Sequence, residues 1–216
     1  MERIRVVLAD DHPVVLAGVR EIVERDERFE VMGEARNSSE LVNLCREVGP
    51  QLLVTDYSMP GDGTYGDGIK LIGYLLRNFP DTRILVFTMI SNSLVLSSLY
   101  ELGVFGVVLK SGGVNELHAA LNAMLHRQPY SGPGVSSVLG AASGKDDLQT
   151  RISGLSLKEY EVLRHFVSGL PVCDVARVLN RSAKTVSAQK ISAMRKLEVK
   201  SDQTLLAFCA QAKLFQ

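Results

Sequence analysis

The sequence predicts two folded units: an α/β domain with a doubly wound parallel sheet, then an all-α domain of four helices. Three observations carry this prediction. The first ~125 residues alternate five short β-branched runs with five amphipathic helical stretches, the signature of repeated β-α units. Residues 128–150 break the pattern with Gly, Ser and Pro and no sustained apolar face. From Leu155 onward every periodic segment is helical. The expected organisation is therefore an α/β domain over 1–127, a connector over 128–150 and a helical domain over 151–216.

Taken in order, the strand-like runs are Ile4–Ala9, Phe29–Glu34, Leu52–Thr55, Ile84–Thr88 and Gly106–Leu109. Three of them are nearly continuous apolar runs, as parallel strands covered on both faces require. Helical patterns fall near 14–25, 38–48, 68–79, 93–102 and 114–127, which implies right-handed crossovers. Within the connector, Gln128–Gly134 and Gly140–Asp147 read as loop, with a short helix near Val135–Leu139. Gly140–Lys145 is not a phosphate loop: its spacing is one residue short, Asp146 stands where Ser or Thr is needed, and no strand precedes it. In the helical domain, Ser156 with Glu159 forms a capping box before the apolar face of Val162, Leu163, Phe166 and Val167, and Gly169 ends that helix. Pro171 starts a short helix carrying Val175, Ala176 and Leu179. Ser182 caps a third helix reaching about Lys196, and a fourth runs from about Gln203 to Lys213.

The 216 residues suffice for two small domains with real cores, since 46% of them are hydrophobic. No run approaches the ~18–20 apolar residues a membrane-spanning helix needs, so no membrane association is expected. The N-terminus enters Ile4–Asp10 almost at once, too short and too acidic for a signal peptide. Cys45, Cys173 and Cys209 are far apart with no C-x-x-C, which excludes a zinc site or a disulfide framework and fits a cytoplasmic setting. The net charge is zero, but the halves differ: residues 1–130 hold 12 Lys and Arg against 17 Asp and Glu, a net of −5, and residues 131–216 hold 12 against 7, a net of +5. Such asymmetry fits one half handling cations or phosphate chemistry and the other a polyanion.

The acidic half places its chemistry at strand ends. Asp10 and Asp11 close the first strand and Asp56 closes the third. In a sheet of order 2-1-3-4-5 those strands are neighbours, and their carboxyl edge is the topological switch point. Three carboxylates gathered there repel one another and call for a cation; Mg²⁺ suits them, because it takes a few carboxylate oxygens while keeping waters and a phosphate oxygen. Thr88 ends the fourth strand and Lys110 the fifth, at the same edge. A hydroxyl and an ammonium beside a metal-bound carboxylate are the parts for phosphoryl transfer to Asp56: Asp56 attacks, Mg²⁺ and Lys110 offset charge on the phosphoryl oxygens, and Thr88 reads the product. Any one Asp at a strand end is more often a turn residue or a helix cap. Strand ends supplying Asp-Asp, Asp, Thr and Lys together outweigh that.

In the basic half, Val186, Ala193, Met194 and Leu197 share the inner face of the third helix. Lys184, Ser187, Ala188, Ile191 and Arg195 lie opposite, flanked by Thr185, Gln189, Lys190 and Ser192. A DNA-reading helix needs this mixture: cations for phosphates, Gln or Ser for base edges, and Ala or Ile for thymine methyls. From Arg177 to Lys200 there are seven Lys and Arg and a single acid, Glu198. A merely solvated basic helix is the commoner case, but exposed Ile191 argues against it.

On Asp10, Asp11, Asp56, Thr88, Lys110 and Met59-Pro60, residues 3–127 resemble the receiver domain of two-component response regulators, a flavodoxin-like (βα)5 fold. The resemblance implies Asp56 as phosphoacceptor, the backbone carbonyl of Ser58 as a further metal ligand, and a histidine kinase or phosphotransfer protein as phosphate donor. Two departures stand out. Gly61–Gly66 is a six-residue stretch where the family usually has a short turn, and Val107 occupies the position of the switch aromatic. Leu155–Leu163, Gly169, Val175-Ala176, Leu179, Ser182, Lys184–Ser187 and Lys196-Leu197 resemble a LuxR-type helix-turn-helix over nearly all of residues 151–213. Together the two modules resemble the NarL/FixJ group, most closely the capsule-synthesis regulators of the Rcs phosphorelay, through the long Met59–Gly68 loop and Lys184–Lys190. That implies double-stranded promoter DNA as ligand and a regulon of surface polysaccharide, biofilm or envelope functions. Gln189 stands where the wider group commonly has His, so the wider group's base preference does not carry over to this chain. The family pairs two such domains through the fourth helix, giving a homodimer or a heterodimer with an auxiliary regulator; here Leu205, Leu206, Phe208 and Leu214 are on offer, with the domain's own core as the alternative place for most of them.

Two other classes compete. A magnesium-dependent phosphohydrolase would carry a second Asp two residues after its nucleophile, where this chain has Ser58, so turnover of small substrates is not expected. A regulator controlled by an auxiliary protein partner, largely without phosphorylation, is favoured by Val107 and the long loop and opposed by the complete acidic set.

Overall fold

The computed structural model describes residues 3–59, 64–141, 151–152, 154–212 and 214–215. The first part of the long loop, 60–63, and the Gly140–Lys145 segment beyond Ala141 lie outside them.

The α/β domain runs β1 (Ile4–Ala9), α1 (Pro13–Glu24), β2 (Phe29–Ala35), α2 (Ser38–Val48), β3 (Leu52–Thr55), α3 (Gly68–Asn78), β4 (Arg83–Thr88), α4 (Ser93–Leu102), β5 (Gly106–Leu109) and α5 (Val114–Leu125). Local chemistry sets the ends. Asn37, Asp67 and Asn92 cap α2, α3 and α4 with side-chain oxygens that accept backbone N–H donors, and Gly49 and Gly103 end α2 and α4 in the left-handed conformation. With a sixth strand, β6 (Tyr130–Ser131), all strands are parallel, in the order β2-β1-β3-β4-β5-β6. The sixth strand is a departure from the sequence reading: Tyr130–Ser131 pairs with Gly106–Val107, and α6 (Pro133–Ala141) follows, longer than the helix expected near Val135–Leu139. Gly106 permits this pairing, because a Cβ there would stand 2.7 Å from the Tyr130 carbonyl oxygen.

Alternation along the strands builds two cores. Val7, Ala9 and Leu53 point to one face of the sheet, while Val6, Leu8, Leu52 and Val54 point to the other, under α1 and α5. The first of these cores does not stop at the domain edge. It runs from Tyr57, Met59 and Ile72 into Tyr160, Leu163, Ala193, Leu197 and Leu205 of the helical domain.

That domain consists of α7 (Leu157–Val167), α8 (Val172–Leu179), α9 (Ala183–Lys196) and α10 (Asp202–Gln211). Val162, Val175, Ala176, Leu179 and Val186 form a small separate core where α7, α8 and α9 meet. Ser182 and Ser201 cap α9 and α10, and Asn180 ends α8 with a φ of 51°. The expected capping box is present: Ser156 Oγ accepts from the Glu159 N–H, and Glu159 Oε2 accepts from the Ser156 N–H at 2.6 Å. Glu159 Oε2 also takes Lys196 Nζ at 2.7 Å, joining α7 to α9. Burial pushes this carboxyl up, yet the hydrogen bonds from Lys196 and the Ser156 backbone outweigh it and hold it at about 2. Ser156→Ala is therefore expected to cost about 1 kcal/mol of helical-domain stability, read as a lower urea midpoint with an unchanged slope.

Candidate acidic site and nucleic-acid interface

The strand ends converge as their positions in the sheet require. The Asp56 N–H donates to Ala9 O at 2.8 Å and the Asp10 N–H to Ala35 O at 3.1 Å, so both acids leave the same edge. From β5 the Lys110 ammonium reaches across, donating to Asp10 Oδ2 at 2.6 Å and to Asp56 Oδ2 at 2.9 Å. Asp10 and Asp56 are 3% and 7% exposed, which makes these contacts strong. Burial raises the Asp56 carboxyl, Lys110 draws it back down, and Asp10 pushes it up again. Burial works against the Lys110 charge, but attraction to Asp56 and hydrogen bonds to both acids leave it raised. The result is a carboxylate pair tied by one ammonium. Asp56 Oδ1 accepts from the Tyr57 N–H at 2.6 Å, which fixes the carboxyl plane and leaves Oδ2 toward the lysine.

Asp11 stands at the rim with His12, a residue absent from the sequence-derived set. Its signal was its place directly after Asp10-Asp11. His12 Nδ1 lies 2.8 Å from Asp11 Oδ1 and 3.2 Å from Asp10 Oδ1, and these three side chains can offer donor atoms within 4.8 Å of one another. The contact to Asp11 is close but misaligned, so the buried Asp11 Oδ1 accepts no hydrogen bond. Thr88 is buried at the end of β4 and its Oγ1 accepts from the Ile90 N–H at 3.2 Å; among the described residues it makes no hydrogen bond to Asp56 or Lys110. Val107 is fully buried opposite Val86, with no aromatic ring at that position to move.

The Ser58 side chain is engaged from outside the domain. Arg164 of α7 donates through Nη1 to Ser58 Oγ and through Nη2 to Asp67 Oδ2 at 2.8 Å, with its guanidinium 5.3 Å from the Tyr57 ring centroid. Glu161, one turn earlier, accepts from the Tyr57 hydroxyl. Asp67 Oδ1 takes the N–H groups of Met59 and Gly68 at 2.8 and 2.7 Å. Gly68, at φ 58°, lies at the junction of the two domains: a Cβ there would meet Glu161 Oε1 at 2.9 Å and the Tyr57 ring at 3.0 Å. The loop beyond is pinned by Arg46, which donates to Tyr65 at 3.3 Å and Tyr74 at 3.1 Å. Sequence reasoning missed Glu161 and Arg164, because charged residues on an amphipathic helix read as solvated positions, and Tyr57, because an aromatic after an apolar strand reads as core.

On α9 the inner face is as expected, with Val186, Ala193 and Leu197 buried and Met194 partly so. Lys184, Thr185, Ala188, Ile191 and Arg195 are exposed on the outer face, Ile191 at 55%. Ser187, Gln189 and Lys190 are half-buried, and two of them are occupied: Gln189 Oε1 accepts from Arg181 at 3.1 Å, and Lys190 lies 2.7 Å from Asp202 and 3.6 Å from the Phe166 ring centroid. The dimer surface expected on α10 needs a correction. Leu205 is fully buried in the core and Leu214 nearly so, because the face that packs on α7 and α9 needs them. Leu206 stays 42% exposed and Phe208 half-buried, with Arg151 5.0 Å over its ring.

A five-repeat parallel α/β domain with an acidic, lysine-bridged switch point, joined to a four-helix domain with a basic outward-facing third helix, defines a class: a receiver fused to a helix-turn-helix. Residues 6–122 match the model of the response regulator receiver domain and residues 153–209 that of the bacterial regulatory proteins of the luxR family. The chain belongs to the response regulators with a LuxR-type DNA-binding domain, as its relatives also show. It is 43% identical over 216 residues to the transcriptional regulatory protein RcsB of Escherichia coli K12, covering 99% of this chain and 97% of that one. The response regulator GacA of Pseudomonas protegens is 28% identical over 206 residues, 94% of this chain and 95% of its own. Among solved structures, RcsB of Salmonella typhimurium superposes with a TM-score of 0.82 over 98% of this chain and 99% of that one, at 43% identity.

Proposed function

We propose that this protein is a phosphorylation-controlled transcription regulator that takes a phosphoryl group on Asp56 and binds promoter DNA as a dimer. The observation that carries the reading is Lys110 bridging Asp10 and Asp56 at the carboxyl edge of the sheet. A carboxylate oxygen of Asp56 attacks phosphorus with no proton to move, and the phosphoryl bond to the donor breaks as the new acyl phosphate forms. Lys110 then turns from its two carboxylates to the phosphoryl oxygens, and Thr88 reads the product.

Magnesium fits these residues. Asp10, Asp11 and Asp56 would hold it with the backbone carbonyl of Ser58, and the buried Asp11 Oδ1 that accepts no hydrogen bond is the donor such an ion would satisfy. When bound, the ion supplies positive charge at the phosphoryl oxygens. The phosphate donor is a histidine kinase or phosphotransfer protein. A DNA-binding domain over 151–216 and a cytoplasmic location belong to the same reading, while the connector expected over 128–150 gives up Tyr130–Ser131 and α6 to the α/β domain.

On the DNA side, Lys184, Thr185, Ser187, Ala188, Ile191 and Arg195 face outward for double-stranded DNA, and Gln189 and Lys190 join them once released from Arg181 and Asp202. Support comes from RcsB of Salmonella enterica serovar Typhimurium bound to promoter P1flhDC in the presence of phosphomimetic BeF3⁻, which matches with a TM-score of 0.82 over 97% of this chain. A structure of two RcsB dimers bound to two parallel DNAs supports pairing, for which Leu206 and Phe208 remain available here. The regulon that the sequence resemblance implies is one of surface polysaccharide, biofilm or envelope functions. Val107 in place of an aromatic favours a second reading, in which an auxiliary regulator supplies part of the control through a heterodimer.

Gel retardation against genomic fragments, with and without acetyl phosphate and Mg²⁺, tests the proposal. Phosphorylation is expected to tighten binding, and Asp56→Ala to lose that gain while keeping the basal affinity. Specific binding indifferent to both would leave the receiver as a docking platform for a protein partner.

A further inference from the structure

The junction between the domains is built from charge, and it is built at the phosphorylation loop. Arg164 and Glu161 are 6% and 4% exposed in their side chains, and Asp67 is 1% exposed. Buried ionised groups need partners, and here hydrogen bonds that cross to the other domain supply them, beside contacts of Arg164 with Glu161 and His165 on its own helix. Arg164 holds Ser58 and Asp67, Glu161 holds the Tyr57 hydroxyl, and Asp67 in turn holds the Met59 and Gly68 backbone. Tyr57 and Ser58 are the two residues directly after Asp56, and the Tyr57 N–H donates to Asp56 itself. Helix α7 therefore touches the loop through which Asp56 is positioned, while the outer face of α9 stays free. The aromatic route is absent, because the position is Val107, a fully buried β5 residue paired with Val86.

We propose that Arg164 and Glu161 of the DNA-binding domain are positioning residues for the receiver's phosphorylation site, so that docking of α7 and phosphorylation of Asp56 favour one another. The proposal rests on the reading of Asp56 as phosphoacceptor. Holding Tyr57, Ser58 and Asp67 from α7 keeps the Ser58 carbonyl and the Asp56 carboxyl plane in place before metal and phosphate arrive, which removes an ordering cost from both. By linkage, a phosphoryl group that is bound better when the clamp is closed must close the clamp by the same factor. The domains then present α9 in one fixed orientation instead of many, and two such chains can address two half-sites.

The test is calorimetric titration of the full chain with beryllofluoride and Mg²⁺, beside the initial rate of phosphorylation by acetyl phosphate. Arg164→Gln is expected to weaken beryllofluoride binding at least about 5-fold and slow phosphorylation in proportion, with Arg164→Lys recovering part of the loss. Tyr57→Phe removes only the hydroxyl arm, leaves a folded chain even if Arg164→Gln unfolds, and is expected to shift affinity in the same direction by a smaller factor. A destabilised but uncoupled interface would leave beryllofluoride affinity of the folded chain unmoved, and parent-like values in Tyr57→Phe and Arg164→Lys together would overturn the proposal. If the parent chain itself bound no beryllofluoride, the phosphoacceptor reading would fall instead.

Discussion

Lys110→Met is expected to slow phosphorylation of Asp56 by acetyl phosphate about 10²–10³-fold, the usual cost of removing one fixed charge from a site that stabilises developing negative charge. The ammonium is 11% exposed and lies 2.6 Å from Asp10 and 2.9 Å from Asp56, so no solvent cation can take its place with the same geometry. Methionine fills the same volume without the charge, which separates electrostatics from packing. The substitution also has a signed effect on pH dependence. Burial and Asp10 both raise the Asp56 carboxyl, and Lys110 is the group that opposes them. Without it Asp56 holds its proton to higher pH, and only the ionised carboxylate attacks phosphorus. The rising limb of the pH–rate profile is therefore expected to move toward alkaline pH in Lys110→Met, with residual activity recovering as pH increases. A profile that keeps its position while the rate falls would assign Lys110 to the phosphoryl oxygens alone. An unchanged rate would remove it from the chemistry.

The same electrostatics explains what was legible in the sequence. Each of the five strands and five helices of the α/β domain was visible because burial on both sheet faces forces apolar runs, and amphipathic helices force a period near 3.6. The acidic site was visible because the strand order brings Asp10, Asp56 and Lys110 to one edge wherever those strands pair as they do. Tyr130–Ser131 was not visible as a strand: two residues after Gln128-Pro129 carry no period, and their pairing depends on Gly106 leaving room across the sheet. Leu205 was misplaced for another reason. A helical repeat shows that α10 has an apolar face but not whether that face meets its own domain or a second copy, and here its own core claims Leu205. Glu161 and Arg164 failed most completely, since their burial is set by a surface more than ninety residues away in sequence. Gln189 and Lys190 show a milder form: the outer face was legible, but not the intramolecular partners that hold them.

Lowering the pH from 7.5 to 5 is expected to cost the protein about 2 kcal/mol through His165 alone, rising to about 3 kcal/mol near pH 4. His165 follows Arg164 on α7 and is 6% exposed. Burial lowers its imidazole first and the adjacent Arg164 guanidinium lowers it further, against a raising effect of Asp67, to about 4 from an ordinary 6.5. Its Nε2 lies 3.1 Å from Arg164 Nη2, so the neutral ring accepts a hydrogen bond that the protonated ring cannot. Between pH 6.5 and 4 the unfolded chain binds a proton at this site and the folded chain does not. Stability therefore rises with pH across that window, is fully present above the unfolded value, and is lost as pH falls toward the folded one. Glu161, whose carboxyl burial raises, takes up a proton more readily in the folded chain and works in the opposite sense, so the raw pH dependence understates the histidine. The comparison that isolates it is His165→Gln, which keeps an acceptor for Arg164 without a titrating ring. Urea unfolding at pH 7.5 and 5.0 is expected to show a loss larger by about 2 kcal/mol in the parent than in His165→Gln. Equal losses in the two would mean that the proton enters the unfolded and folded chains alike, and the buried imidazole would then carry no acid sensitivity at the junction of the two domains.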